Sequence, residues 1–143
     1  MIDCGGRRIS GEIKRKIQMS ETLFDKGLKL RREILGADYV DKSFAAADDF
    51  SRPMQEYTTE CCWGKVWGRP GLDRKTRSIV NLAMIAGLNR HHEFKLHVKT
   101  AIKNGLTKAE ISEILLQVAC YCGVPAGVES FRLASEAFKE AGV

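Results

Sequence analysis

An all-α domain of six or seven helices is what this sequence predicts, on three observations. Glycines fall where helices should stop, Thr, Ser or Asp falls where the next should start, and apolar residues recur at three- and four-residue steps between them. Alternating strand patterns are nearly absent. Leu23, Leu30 and Ile34 form the apolar side of a first helix that ends at Gly36. Asp49 or Ser51 can cap a second, with Pro53 in its first turn, where a missing N–H costs little. This helix runs through Met54, Tyr57 and Cys61 toward Trp67. Asp73 caps another, bearing Ile79, Leu82, Ala83 and Ala86, and Gly87 to Asn89 marks a bend before the segment His92 to Asn104. Gly105 ends that segment as a left-handed residue. Thr107 and Glu110 then form a capping box, with Leu106 and Ile111 at the positions of a hydrophobic staple. Ile111, Ile114, Leu115 and Val118 carry the helix to Gly123. Val124-Pro125 opens the last one, whose apolar side is Val128, Phe131, Leu133 and Phe138.

The bulk composition excludes several classes. A chain of 143 residues, 44% hydrophobic and 29% charged, fits one globular domain rather than a disordered or membrane protein. Its longest apolar runs, Ile114 to Leu116 and Val80 to Leu88, are too short or interrupted to span a bilayer. No secretory signal pattern opens the chain, so a cytoplasmic location is expected. The net charge of +5 invites an acidic partner. Within residues 1–19, however, Arg7, Arg8, Lys14, Arg15 and Lys16 stand against Asp3 and Glu12, which leaves only +2 for the rest. A basic, flexible tail over residues 1–21 on a near-neutral domain accounts for the charge, and no nucleic-acid partner is expected. The five cysteines, Cys4, Cys61, Cys62, Cys120 and Cys122, are odd in number and closely paired in sequence. That argues for reduced thiols packed as small hydrophobes rather than a disulfide framework. Zinc-ligand spacing is missing, and no metal is expected.

Three stretches can carry chemistry. In Arg90 to His97, Glu93 and His97 are four apart, hence one helical turn apart on one face. Phe94 and Ala101 put apolar surface beside the imidazole. A carboxylate at that position either orients His97 and tunes its pKa for acid–base work, or His97 is simply a half-buried side chain satisfying hydrogen bonds. His91 and His92 read as exposed helix-start residues. In Cys62 to Leu72, Trp63 and Trp67 are also four apart and form an aromatic wall, with Gly64 permitting close approach of a backbone or ligand. Helix packing alone is the simpler explanation of both. Arg77 either pairs with Asp73 or offers a bidentate fork to a carboxylate. In the third stretch, Tyr121, Gly123 and Pro125 surround backbone N–H groups at the start of the last helix. It is either an anion site or a tight turn.

Taken together, five ordered stretches resemble the 4-carboxymuconolactone decarboxylase family: GLKLRREILG (27–36), WGKVWGRPGL (63–72), DRKTRSIVN (73–81), EFKLHVKTAIKNG (93–105) and EISEILLQVACYCGVP (110–125). The resemblance covers nearly all of a domain at 22–143. It implies the helical fold shared with alkylhydroperoxidase-D-like proteins and a homo-oligomer, a trimer or hexamer. It also implies a cofactor-free decarboxylase acting on 4-carboxymuconolactone or a related small unsaturated or aromatic carboxylic acid. The implied setting is aromatic catabolism by the β-ketoadipate pathway. His97 would deliver the proton, Glu93 orient it, Arg77 hold the substrate carboxylate, and backbone N–H groups near Gly123 receive the oxyanion. Trp63, Trp67 and Tyr121 would complete the binding site. Peroxidases of the same superfamily carry a CxxC pair seven and four residues before the helix histidine. Here those positions are Arg90 and Glu93, so disulfide-based peroxide reduction lacks its nucleophile. The rival readings are a thiol redox protein and a noncatalytic binding domain on the same fold. Two departures mark the presumed pocket: Lys65 stands where an acidic residue is expected, and Cys61-Cys62 precedes Trp63.

Overall fold

The structure, a computed structural model, describes residues 21–143. The basic segment assigned to residues 1–21, and Cys4 with it, falls almost wholly outside that range. Among the described residues the chain is helical throughout, without a strand. The helices are α1 (Leu23–Leu35), α2 (Ala37–Ala45), α3 (Arg52–Tyr57), a π-helical stretch (Thr58–Trp67), α4 (Arg74–Gly87), α5 (His91–Lys103), α6 (Lys108–Cys122) and α7 (Val124–Ala141). None of them is long and apolar enough to cross a membrane.

Most boundaries form where the sequence places them. The Asp73 carboxylate accepts from the Thr76 N–H at 2.7 Å, and Thr107 and Glu110 close their capping box. Leu106 and Ile111 are buried beside it as a staple. Asn89 (φ 55°), Gly105 (φ 94°) and Gly123 (φ 104°) take the left-handed backbone that reverses the chain between helices.

Four features differ from expectation. Thr22 and Asp25 form a second capping box, at the start of α1. A short helix, α2, fills the stretch after Gly36, held by Val40 in the core and Phe44 against it. Ser51 borders α3 but does not cap it; its hydroxyl and N–H both turn back to Asp48 Oδ1, at 2.7 and 2.9 Å. The expected helix from Pro53 to Trp67 is two helices in one, since α3 passes at Thr58 into the π-helical pattern.

Two cores result. Leu82, Phe94, Val98, Ile111, Leu115 and Leu133 centre the larger one, among α4 to α7. Ile34, Leu35, Val40 and Trp63 form the smaller, among α1, α2 and the π-helical stretch, and Leu96 of α5 packs against it. α1 crosses the π-helical stretch at backbone contact. A Cβ on Gly27 would overlap the Thr59 carbonyl oxygen, and one on Gly64 the Leu23 carbonyl oxygen. Gly64 therefore admits the backbone of α1. Since a backbone carbonyl cannot rotate away, Gly64→Ala should cost about 3 kcal/mol, the upper end of overpacking penalties. The check is the urea unfolding midpoint, which should fall well below that of the parent chain.

Candidate functional site

Between the two cores lies a cavity of about 310 Å³ lined by Thr58, Cys62, Trp63, Val66 and Trp67 of the π-helical stretch, Asn81 of α4 and His97 of α5. It is of a size for a small ligand. Trp63 is buried in the smaller core and stacks on Trp67, with ring centroids 5.0 Å apart and planes 27° apart. His97 is half-buried. Burial holds its imidazole below the usual histidine range, and the charge of Glu93 partly offsets that. Glu93 itself is exposed and forms no hydrogen bond with the ring, so its influence on His97 is through charge alone.

A second, smaller cavity of about 110 Å³ adjoins the first across Val66, Trp67 and Asn81, and Arg77 lines it. The pairing of Arg77 with Asp73 does not form, because Asp73 is engaged in capping α4. Arg77 instead donates through Nη2 to the Arg69 carbonyl at 3.0 Å, and its buried Nε has no partner. A guanidinium half-buried beside a cavity with an unused donor is poised to receive an anion.

The third stretch lies elsewhere. Tyr121 is 80% exposed and, with Cys122, lines a wide apolar groove of about 410 Å³ between α4 and α6. Gly123 is exposed at the α6–α7 turn and lines neither of the two cavities. The thiols also differ from expectation. Cys62, Cys120 and Cys122 are exposed and, among the described cysteines, only Cys61 is half-buried. Lys65 is exposed and outside the cavity, whereas Cys62 lines it. Among the described residues no cluster of three His, Cys, Asp or Glu side chains could hold a metal ion.

Sequence reasoning missed Asn81, the one amide facing the His97 cavity. The signal was present, since Asn81 follows Arg77 by four residues and so shares its face of α4.

The candidate site lies within the part of the chain that matches a known family. The model of the Carboxymuconolactone decarboxylase family matches residues 52–136, which include every residue of both cavities. The chain is 46% identical over 113 residues to nitrosuccinic acid decarboxylase of Metarhizium robertsii, covering 79% of each chain. It is 37% identical over 123 residues to 4-carboxymuconolactone decarboxylase of Acinetobacter baylyi, covering 86% of this chain and 92% of that one.

Proposed function

The chain belongs to the carboxymuconolactone decarboxylase family and is a carboxy-lyase, and from that premise we propose that it releases CO2 from 4-carboxymuconolactone or a related small acid without a cofactor. The observation that carries this reading is the pair of adjoining cavities, with His97 in one, Arg77 in the other, and Asn81 and Trp67 between them.

The substrate supplies its own electron sink. In 4-carboxymuconolactone the departing carboxylate sits on the ring carbon joined through a C=C bond to the lactone carbonyl, so the electron pair left by CO2 passes to the carbonyl oxygen as a dienolate. The protein must grip the substrate, stabilise the developing oxyanion and return a proton to carbon. Arg77 grips a carboxylate. The Asn81 amide, in place of N–H groups near Gly123, donates to the oxyanion, an interaction worth on the order of 3 kcal/mol at other enzymes. His97 delivers the proton. A substrate anion beside the half-buried ring favours imidazolium, countering the effect of burial. The stacked indoles shut one side of the cavity to water.

The identity to nitrosuccinic acid decarboxylase favours a second substrate on the same site. In nitrosuccinate the nitro group takes the electrons that the lactone takes in the other acid. Both molecules carry two carboxylates, so one can leave while the other stays on Arg77. Incubating the protein with each acid and following CO2 decides between them; release from neither defeats the proposal.

Because the free protein must hold His97 protonated for it to act as an acid, kcat/KM should fall as pH rises through a value below the usual histidine range. Glu93→Gln removes the charge that supports imidazolium, so the falling limb should move to still lower pH. A pH–rate profile of both proteins checks the sign.

A homo-oligomer and a cytoplasmic location belong to the same reading. Val80, Met84 and Tyr121, which line the α4–α6 groove, are 43%, 51% and 80% exposed, an apolar surface that a second copy can cover. Sedimentation should show a trimer or hexamer at micromolar concentration.

A further inference from the structure

Arg31 of α1 is only 5% exposed, yet no carboxylate meets its guanidinium among the described residues. Nη1 donates to the Thr59 hydroxyl and Nη2 to Gln55 Oε1, each at 2.9 Å. The guanidinium lies 5.7 Å from the Phe44 ring centroid, and its buried Nε has no partner. A cation held this way is costly, and a methionine would fill the space without the penalty. The identity of the two acceptors explains what the cost obtains.

Gln55 stands in the last turn of α3, and Thr59 is the second residue of the π-helical stretch. The Thr59 hydroxyl also donates to the Gln55 carbonyl at 2.8 Å. The guanidinium fork therefore bridges the point where i→i+4 bonding gives way to i→i+5. Gly27, one turn earlier on α1, presses on the Thr59 carbonyl from the same side. Four of the seven residues lining the His97 cavity, Cys62, Trp63, Val66 and Trp67, follow this junction within the π-helical stretch. Shifting the bonding register there would turn all of them about the helix axis.

We propose that Arg31 is a positioning residue for the reaction: its fork fixes the switch from α- to π-helix, and so aims Trp63 and Trp67 at the cavity that holds His97. The link to catalysis rests on the decarboxylase reading of that cavity; the link to the indoles does not. The sequence has two tryptophans, so the exciton couplet of their stack in circular dichroism reports the wall alone, without any ligand.

Arg31→Lys and Arg31→Met, made in the full chain, should both reshape or abolish that couplet. For whichever of 4-carboxymuconolactone and nitrosuccinate is turned over, kcat/KM should fall about tenfold to a hundredfold, the scale of a misplaced binding wall. The decline of kcat/KM with rising pH should persist, since His97 itself is retained. Lysine should do no better than methionine, because it brings the charge without the fork. An unchanged couplet in either variant overturns the proposal. So does full recovery of couplet and kcat/KM by lysine, which would mean that charge alone matters. If neither Arg31 variant folds, Thr59→Val and Gln55→Met each remove one acceptor and carry the same expectation; parental couplets in both would overturn it. If the parent chain turns over neither acid, the decarboxylase reading fails while the couplet still decides the role of Arg31.

Discussion

Replacing His97 by Ala should lower kcat by about two to four orders of magnitude while the protein stays folded, the range for losing a positioned general acid. The expectation rests on location. His97 is the one ionisable imidazole lining the cavity between the cores, opposite the stacked indoles. His91 and His92 are exposed at the start of α5, and His91 lies 3.9 Å from Glu129, well away from that site. Folding is not expected to suffer much, because the ring is only half-buried and contributes to neither core. Glu93→Gln should cost less than His97→Ala. It removes a charge that acts on the imidazole without a hydrogen bond to it, and leaves the proton donor in place. In the double variant the Glu93 effect should vanish, because there is no imidazole left for it to support. Steady-state kinetics on the four proteins, with circular dichroism as a folding control, checks both statements. A folded His97→Ala protein with near-parental kcat would move the proton donor elsewhere.

The parts of this molecule that were legible in advance are those written in local chemistry. Asp73, Thr107 with Glu110, Gly105 and Gly123 each announce a boundary through one side chain or one backbone angle, and each boundary forms there. The π-helical stretch is different. Its cavity-facing residues, at 58, 62, 63, 66 and 67, are separated by steps of four, one, three and one, as they would be on an α-helix face, so periodicity cannot reveal the change in hydrogen bonding. Arg31 is hidden for a related reason. A charged residue in an amphipathic pattern reads as solvent-facing, and only the approach of Gln55 and Thr59 from another helix shows it to be buried. Tyr121 and Gly123 are a different case. The family resemblance groups them with His97, whereas within this one chain Tyr121 lines the α4–α6 groove, which shares Val80 and Met84 with the Arg77 cavity, and Gly123 lines neither that groove nor the two cavities.

Arg77 offers the second large effect, and its sign depends on which carboxylate it holds. Negative charge leaves the departing carboxylate as CO2 forms. A strong ion pair to that group would therefore stabilise the bound substrate more than the transition state and slow the step. Gripping the carboxylate that remains carries no such cost, since that charge is the same before and after. The geometry suits this second arrangement. Arg77 lines its own small cavity, separated from that of His97 by Asn81 and Trp67, so the two ends of a small diacid would rest in different chambers. Hydrogen bonds to charged groups contribute about 1.5–3 kcal/mol, and binding of this kind is felt equally in the ground and transition states. Arg77→Gln should accordingly raise KM by roughly tenfold to a hundredfold, at about 1.4 kcal/mol per factor of ten, with kcat changed only a few-fold. Arg77→Lys should recover part of the loss, keeping the charge but not the fork. Measuring kcat and KM separately for the three proteins gives the answer. A rise in kcat on removing the guanidinium would instead place the departing carboxylate on Arg77, and unchanged KM would remove Arg77 from substrate binding.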